Sequence, residues 1–198
     1  GAGGAACYTC HSGPMLNKQV NDPDVAGMGK FVEENFFNLG LGDHPAQALN
    51  RQAQNNPNFL DDGRREITGR DDHAFKFRAV TLRQLKDARF HFHNGAFSRV
   101  RDVVQYFNAG VPQNAQSGAA NTLAAEFTHP RGANTPRGLG LREDQVDDLT
   151  DFIEIALHDT IDALAGDYSG KLPLAITWAL TFSCEISTSV SSGWPGST

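Results

Sequence analysis

The sequence lacks what several common functional classes require. Three cysteines in 198 residues are too few for a disulfide-stapled scaffold. There is no basic stripe: 17 Lys and Arg stand against 23 Asp and Glu, for a formal net charge of −6, which argues against a nucleic-acid partner. No apolar run reaches bilayer length, and the best, Leu172 to Phe182, is short and carries Thr177 and Thr181, so no membrane span is expected. No basic n-region opens the chain, which begins Gly1-Ala2-Gly3-Gly4 as a processed or excised chain does. Apolar residues make up only 39%, while Gly (20) and Pro (9) are plentiful. A small core with much loop needs a staple, and a large apolar cofactor is one.

What is present is Cys7-Tyr8-Thr9-Cys10-His11. Two thiols three positions apart on one helical turn can reach the two vinyl groups of a haem. The next residue then projects its imidazole at the iron from the same side. A C-x-x-C-H run therefore points to covalent haem c, with His11 as an axial ligand. Other readings fit less well. A structural zinc site wants a second ligand pair, and Cys184 has no such neighbour. A thioredoxin-like site needs a βαβ context, and Gly1 to Ala6 is too short for the leading strand. A plain disulfide leaves the histidine unexplained. Cys184, between apolar Phe182 and Ile186, reads as buried and inert, with pairing to another chain as the rival reading.

Along the chain, Ser12-Gly13-Pro14 ends the motif in a turn. Residues 17–60 are rich in Asn, Gln, Gly and Pro and show little period, and Asp61-Asp62-Gly63-Arg64 reads as a turn. A short helical pattern over 81–88 puts Leu82 and Leu85 on one side. Phe90 to Gly95 alternates and then turns. Ser98 is placed to cap a helix reaching about Asn108, with Val100, Val103, Val104 and Phe107 on its buried face and Gly110 as its stop. Residues 111–139 read as a long polar loop with Pro112, Pro130 and Pro136, a length expected only when functional or draped over a cofactor. A second helix spans about 142–157, with Val146, Leu149, Phe152, Ile153, Ala156 and Leu157 sharing a face, and with Glu143 and Asp144 in the first turn, where the dipole favours acids. The fold class expected is mostly α, organised round a haem, with long loops.

Several of these residues resemble the C-terminal haem domain of the bacterial di-haem cytochrome c peroxidases, a group that includes the MauG enzymes. Phe77-Arg78-Ala79-Val80-Thr81-Leu82-Arg83-Gln84 is similar to the family's F-K-x-P-x-L-R-N block. Phe90-His91-Phe92-His93-Asn94-Gly95 is similar to its P-Y-x-H-D-G block, at a spacing that needs no gap. Asp62-Gly63-Arg64, Thr68-Gly69 and the closing helix also fit. The resemblance covers about residues 1–158, and implies a cytochrome c-like haem domain there. Residues 159–198 form a C-terminal extension without a functional reading. Val80, Gln84 and Asn94 depart from the usual proline, asparagine and aspartate. Phe107 stands where the family places its distal iron ligand, a methionine or, in MauG-like members, a tyrosine.

The resemblance implies an electron-transfer domain. It would receive electrons from a small redox donor, a cytochrome or cupredoxin, and pass them toward hydrogen peroxide reduction at a second haem domain or subunit. One C-x-x-C-H in this chain makes it either part of a larger protein or a single-haem relative. A non-enzymatic carrier, or a subunit of a multi-haem assembly, is the alternative. Calcium is a further cofactor that the resemblance alone allows, and the location implied is periplasmic or otherwise extracytoplasmic. Arg83 is a candidate for a haem propionate, with a surface helix charge as the rival reading. His93 is a candidate for the haem edge, with a structural histidine as the rival, and His91, two positions away in an extended segment, would point the same way. Phe107 is core-like by period, which fits a haem that is itself part of the core. Met15 lies too close to His11 to reach the opposite haem face. Met28 and His91 remain as candidate distal ligands, and Tyr106 is turned away from Phe107 by one helical step.

Overall fold

The structure, a computed structural model, describes residues 5–13, 15–18, 35–42, 44, 55, 57 and 60–158. Met28, Cys184 and the extension 159–198 lie outside the described residues. Regular structure within them is mostly helical. A 3-10 turn at Cys7–Thr9 comes first, followed by β1 (Phe36–Phe37), α1 (Arg64–Thr68) and β2 (Phe77–Arg78). Then come α2 (Val100–Ala109), α3 (Ala115–Ala119), α4 (Ala125–Thr128) and α5 (Glu143–Asp151). The last helix continues as a π-helical turn, Phe152–Ala156.

β1 and β2 pair antiparallel, Phe36 opposite Arg78 and Phe37 opposite Phe77. The two-residue period of a strand sends Phe37 into the core and Phe36 to the other face, where the Arg64 guanidinium covers its ring at 4.3 Å. The Asp61–Arg64 turn feeds α1 through Gly63, whose φ is 66°. A Cβ there would meet the Lys76 carbonyl oxygen at 2.6 Å, so glycine is required on two counts.

α2 and α5 pack together, as their apolar faces predict. Val100 and Val104 meet Val146 and Ile153, with Leu85, Leu141, Leu149 and Phe152 around them. The exposed rim of the pair is tied by Arg101, which reaches Glu143 and Asp147 at 2.7 Å each. The start of α2 differs from the sequence expectation. Arg99, not Ser98, occupies the N-cap, and no side chain caps it; Arg99 instead pairs with Asp102 in the first turn. Gly110 does stop the helix in the left-handed conformation. α5 starts at Glu143, where the Gln145 side chain accepts from the Arg142 N–H at 3.1 Å.

A second core lies at the other end of α2. Phe37, Leu41, Tyr106, Ala124 and Phe127 form it, with Cys10, Leu39, Ala79, Phe92, Phe97, Phe107 and Leu123 packed against it. Here the single-face reading of α2 fails: Tyr106 is more buried than Phe107, and both rings enter this core. Burying Phe127 to 1% exposure makes it an anchor whose truncation to Ala costs about 3–5 kcal/mol.

Residues 111–139 are not a bare loop. They hold α3 and α4, fastened from a distance by Asn38. Its Nδ2 donates to the Ser117 carbonyl at 2.9 Å and to Thr122 Oγ1 at 3.0 Å, its Oδ1 accepts from Gly40 N–H, and its carbonyl accepts from Ala124 N–H. Asn114 caps α3 by accepting from the N–H groups of Gln116 and Ser117. The helical pattern over 81–88 resolves into one 3-10 turn, Leu85–Asp87, preceded by Gln84 at φ 63°. Among the described residues no helix is long and apolar enough to cross a membrane.

Candidate haem-attachment site

The C-x-x-C-H segment forms one tight turn. Cys10 N–H and His11 N–H both donate to the Cys7 carbonyl, at 3.2 and 2.8 Å, and Thr9 Oγ1 donates to the Ala6 carbonyl at 2.8 Å. These bonds bring Cys7, Cys10 and His11 together on a single turn, as the spacing predicts. Both cysteines are half-buried on this turn. Cys10 lies against the aromatic core, and burial pushes its thiol up to about 11, with Glu126 adding to the shift and Thr9 and Lys18 opposing it.

His11 is buried enough that desolvation lowers its pKa, so the ring is neutral at pH 7. Its Nδ1 lies 2.9 Å from the Leu16 carbonyl. A carbonyl can only accept, so Nδ1 carries the proton and Nε2 keeps its lone pair for a metal. The carbonyl of Val80 also lies near the ring and, like that of Leu16, opposes the lowering. Leu16 itself is left-handed, φ 52°, and Lys18 likewise at 47°. Such non-glycine conformations cost roughly 1–3 kcal/mol each and persist only where the surroundings impose them.

Two cysteines and an oriented neutral imidazole on one turn, beside an apolar core, are what a covalently attached haem requires, and the residues fit that group. The apolar side is built from rings. Phe92, Phe97, Tyr106, Phe107 and Phe127 contact one another at centroid separations of 4.9 to 6.2 Å. Phe107 stands in this group and packs, as Cys10 does, against the same buried core, and its ring offers no lone pair. The Tyr106 hydroxyl donates to the Leu39 carbonyl at 2.7 Å and accepts from Gln113 N–H at 3.2 Å. Burial pushes its phenol up to about 12.

The chain is 28% identical over 196 residues to the cytochrome-c peroxidase IdrP1 of Denitromonas iodatirespirans, covering 88% of this chain and 43% of that protein. It is 28% identical over 185 residues to the cytochrome-c peroxidase IdrP1 of Pseudomonas sp. (strain SCT), again over 88% and 43%. The similarity supports a cytochrome c peroxidase-like relationship. It does not single out the MauG branch. The chain spans less than half the length of these relatives. No family profile and no solved structure matches it.

The remaining predicted residues fall outside this turn. His93 Nε2 pairs with Asp61 at 3.0 Å and its ring stacks on Phe77 at 3.4 Å. His91 does not share its direction: Phe92 between them is left-handed at φ 63°, so the segment is bent rather than extended. His91 is buried, paired backbone to backbone with Phe97, and burial lowers its pKa against the opposing field of Glu154. Arg83 is half-buried, its N–H bonded to Thr81 Oγ1 at 3.1 Å. Asn94, the replacement for a usual aspartate, donates to the Gly42 carbonyl at 2.7 Å and accepts from Ala96 N–H. Among the described residues no three His, Cys, Asp or Glu side chains converge as a metal cluster, so no carboxylate set presents itself for calcium. Sequence reasoning missed Leu16 and Asn38. A backbone acceptor leaves no mark in residue type, and an asparagine in a polar stretch reads as loop.

Proposed function

We propose that this chain is a c-type haem domain of a cytochrome c peroxidase-like protein, with a cytochrome c-like arrangement over residues 1–158. The carrying observation is His11: its Nδ1 proton is committed to a backbone carbonyl while Cys7 and Cys10 precede it on the same turn. Cys7 and Cys10 would hold the haem through thioethers, His11 Nε2 would take the iron, and Arg83 would pair with a propionate. Bound haem supplies a one-electron iron couple. The aromatic core excludes water from the side of the Cys10 thiol.

In this reading the domain takes electrons from a small donor, a cytochrome or cupredoxin, and passes them to a second haem domain where hydrogen peroxide is reduced. Its setting is extracytoplasmic. The similarity to two cytochrome-c peroxidases supports the peroxide end of the chain of transfer. Peroxide turnover with a reduced donor tests it. This chain alone should turn over slowly, and a molecule carrying it together with a second haem domain should turn over readily. Equal turnover by both would overturn the division of labour, and stable cycling of one electron with no peroxide activity in either would make the protein a carrier.

A further inference from the structure

Residues 12–18 fold back on the histidine they follow. The Ser12 carbonyl accepts from Lys18 N–H at 3.1 Å, the Gly13 carbonyl from Leu16 N–H at 2.9 Å, and the Leu16 carbonyl from His11 Nδ1 at 2.9 Å. Leu16 makes this turn in the left-handed region, where leucine is a poor choice. Its surroundings hold it there. The side chain is buried at 8% exposure, and two residues on, the Lys18 ammonium lies over the Phe37 ring at 5.2 Å. A right-handed Leu16 would swing the following peptide plane, and its carbonyl, away from the imidazole.

We propose that Leu16 is a positioning residue for His11: its left-handed turn aims a backbone carbonyl at Nδ1, fixes the tautomer that leaves Nε2 bare, and tunes the imidazole as an iron ligand. This rests on the haem reading above. A proton shared with a carbonyl makes the ring a stronger donor through Nε2. A stronger donor favours ferric iron and lowers the reduction potential. Strain at a ligand-bearing turn is then part of how the site is pre-set. The Val80 carbonyl is the rival acceptor, since it too lies near the ring.

Two substitutions in the haem-loaded protein separate aim from packing. Leu16→Val keeps apolar bulk but is β-branched and resists φ > 0. Leu16→Gly accepts φ > 0 freely but removes the packed side chain. A positioning role raises the reduction potential in Leu16→Val and speeds solvent exchange of the His11 Nδ1 proton at least tenfold. It leaves both near the wild-type values in Leu16→Gly, although that variant is less stable. A Leu16→Val potential and exchange rate equal to wild type would overturn the proposal and assign the ring to Val80. A Leu16→Gly shift as large as that of Leu16→Val would also overturn it, because packing would then be the cause. The wild type gives a check that needs no variant: the His11 Nδ1 proton should exchange slowly and show a nuclear Overhauser contact to the Leu16 α-proton, and absence of that contact overturns the proposal. Failure of the haem reading itself shows separately, as denatured protein that carries no haem.

Discussion

The Asn108 carboxamide grips the backbone of Leu141 from both sides. Nδ2 donates to the Leu141 carbonyl at 3.0 Å, and Leu141 N–H donates to Oδ1 at 2.7 Å. The clasp joins the last turn of α2 to Leu141, two residues before α5, so it fixes how the two helices meet. Asn108→Ala removes one side chain but strands two backbone groups. It should cost about 1–3 kcal/mol in chemical denaturation. Arg101→Ala, which breaks two exposed ion pairs on the same helix pair, should leave the midpoint nearly unchanged. Equal losses for the two variants would show that the clasp does not dominate.

Asn38 is the second polar strut, fully buried and bonded to residues 79 and 84 positions away. Asn38→Leu leaves the Gly40 N–H unpaired and leaves the Ser117 carbonyl with only the Ala120 N–H, and should destabilise by about 2 kcal/mol or more. The same change should raise protease cleavage within 111–139, since that segment loses its fastening. Limited proteolysis followed by mass mapping reads this directly.

How much of this was legible in the sequence depends on where each residue finds its partner. The C-x-x-C-H turn and the helices at 100–109 and 143–156 are local, and spacing alone exposes them. The contents of 111–139 were missed because α3 and α4 are only five and four residues long and depend on Asn38 for their support. The direction of His93 was hidden for the same reason: Asp61 is 32 residues away and Phe77 stacks from another strand. His91 was misdirected because nothing in Phe92 announces a left-handed backbone.

Tyr106 gives a pH-dependent prediction. Its phenol is pushed up to about 12 by burial, from 10.0 in the free residue. The folded protein therefore holds this proton more tightly than the unfolded chain does. The resulting stability is complete below pH 10, is lost progressively as pH rises, and is gone by about pH 12. Tyr106→Phe keeps the ring but strands the Leu39 carbonyl, while Gln113 N–H keeps its bond to the Gly40 carbonyl, and the change should cost about 1–2 kcal/mol at neutral pH. The variant should also show a shallower loss of stability between pH 10 and 12, measured by denaturant melts at stepped pH.

Phe107 sits in the ring cluster, at the position where the family resemblance implies a distal ligand. On the proposed function, the ferric wild type should bind cyanide readily and the ferrous form carbon monoxide. Phe107→Met should supply a thioether, convert the optical and spin-resonance spectra to a low-spin form and raise the potential. A wild-type spectrum already fully low-spin would mean that another side chain, with Met28 or His91 the candidates, fills the position.

Whether Cys7, Cys10 and His11 hold a covalent haem is decided by the intact mass of the native protein after acid denaturation. The mass should exceed that of the polypeptide by one haem, the alkaline pyridine spectrum should be of the c type, and both should be lost in the Cys7→Ala, Cys10→Ala double variant. A mass equal to the bare polypeptide, or haem that leaves on acid extraction, would contradict it.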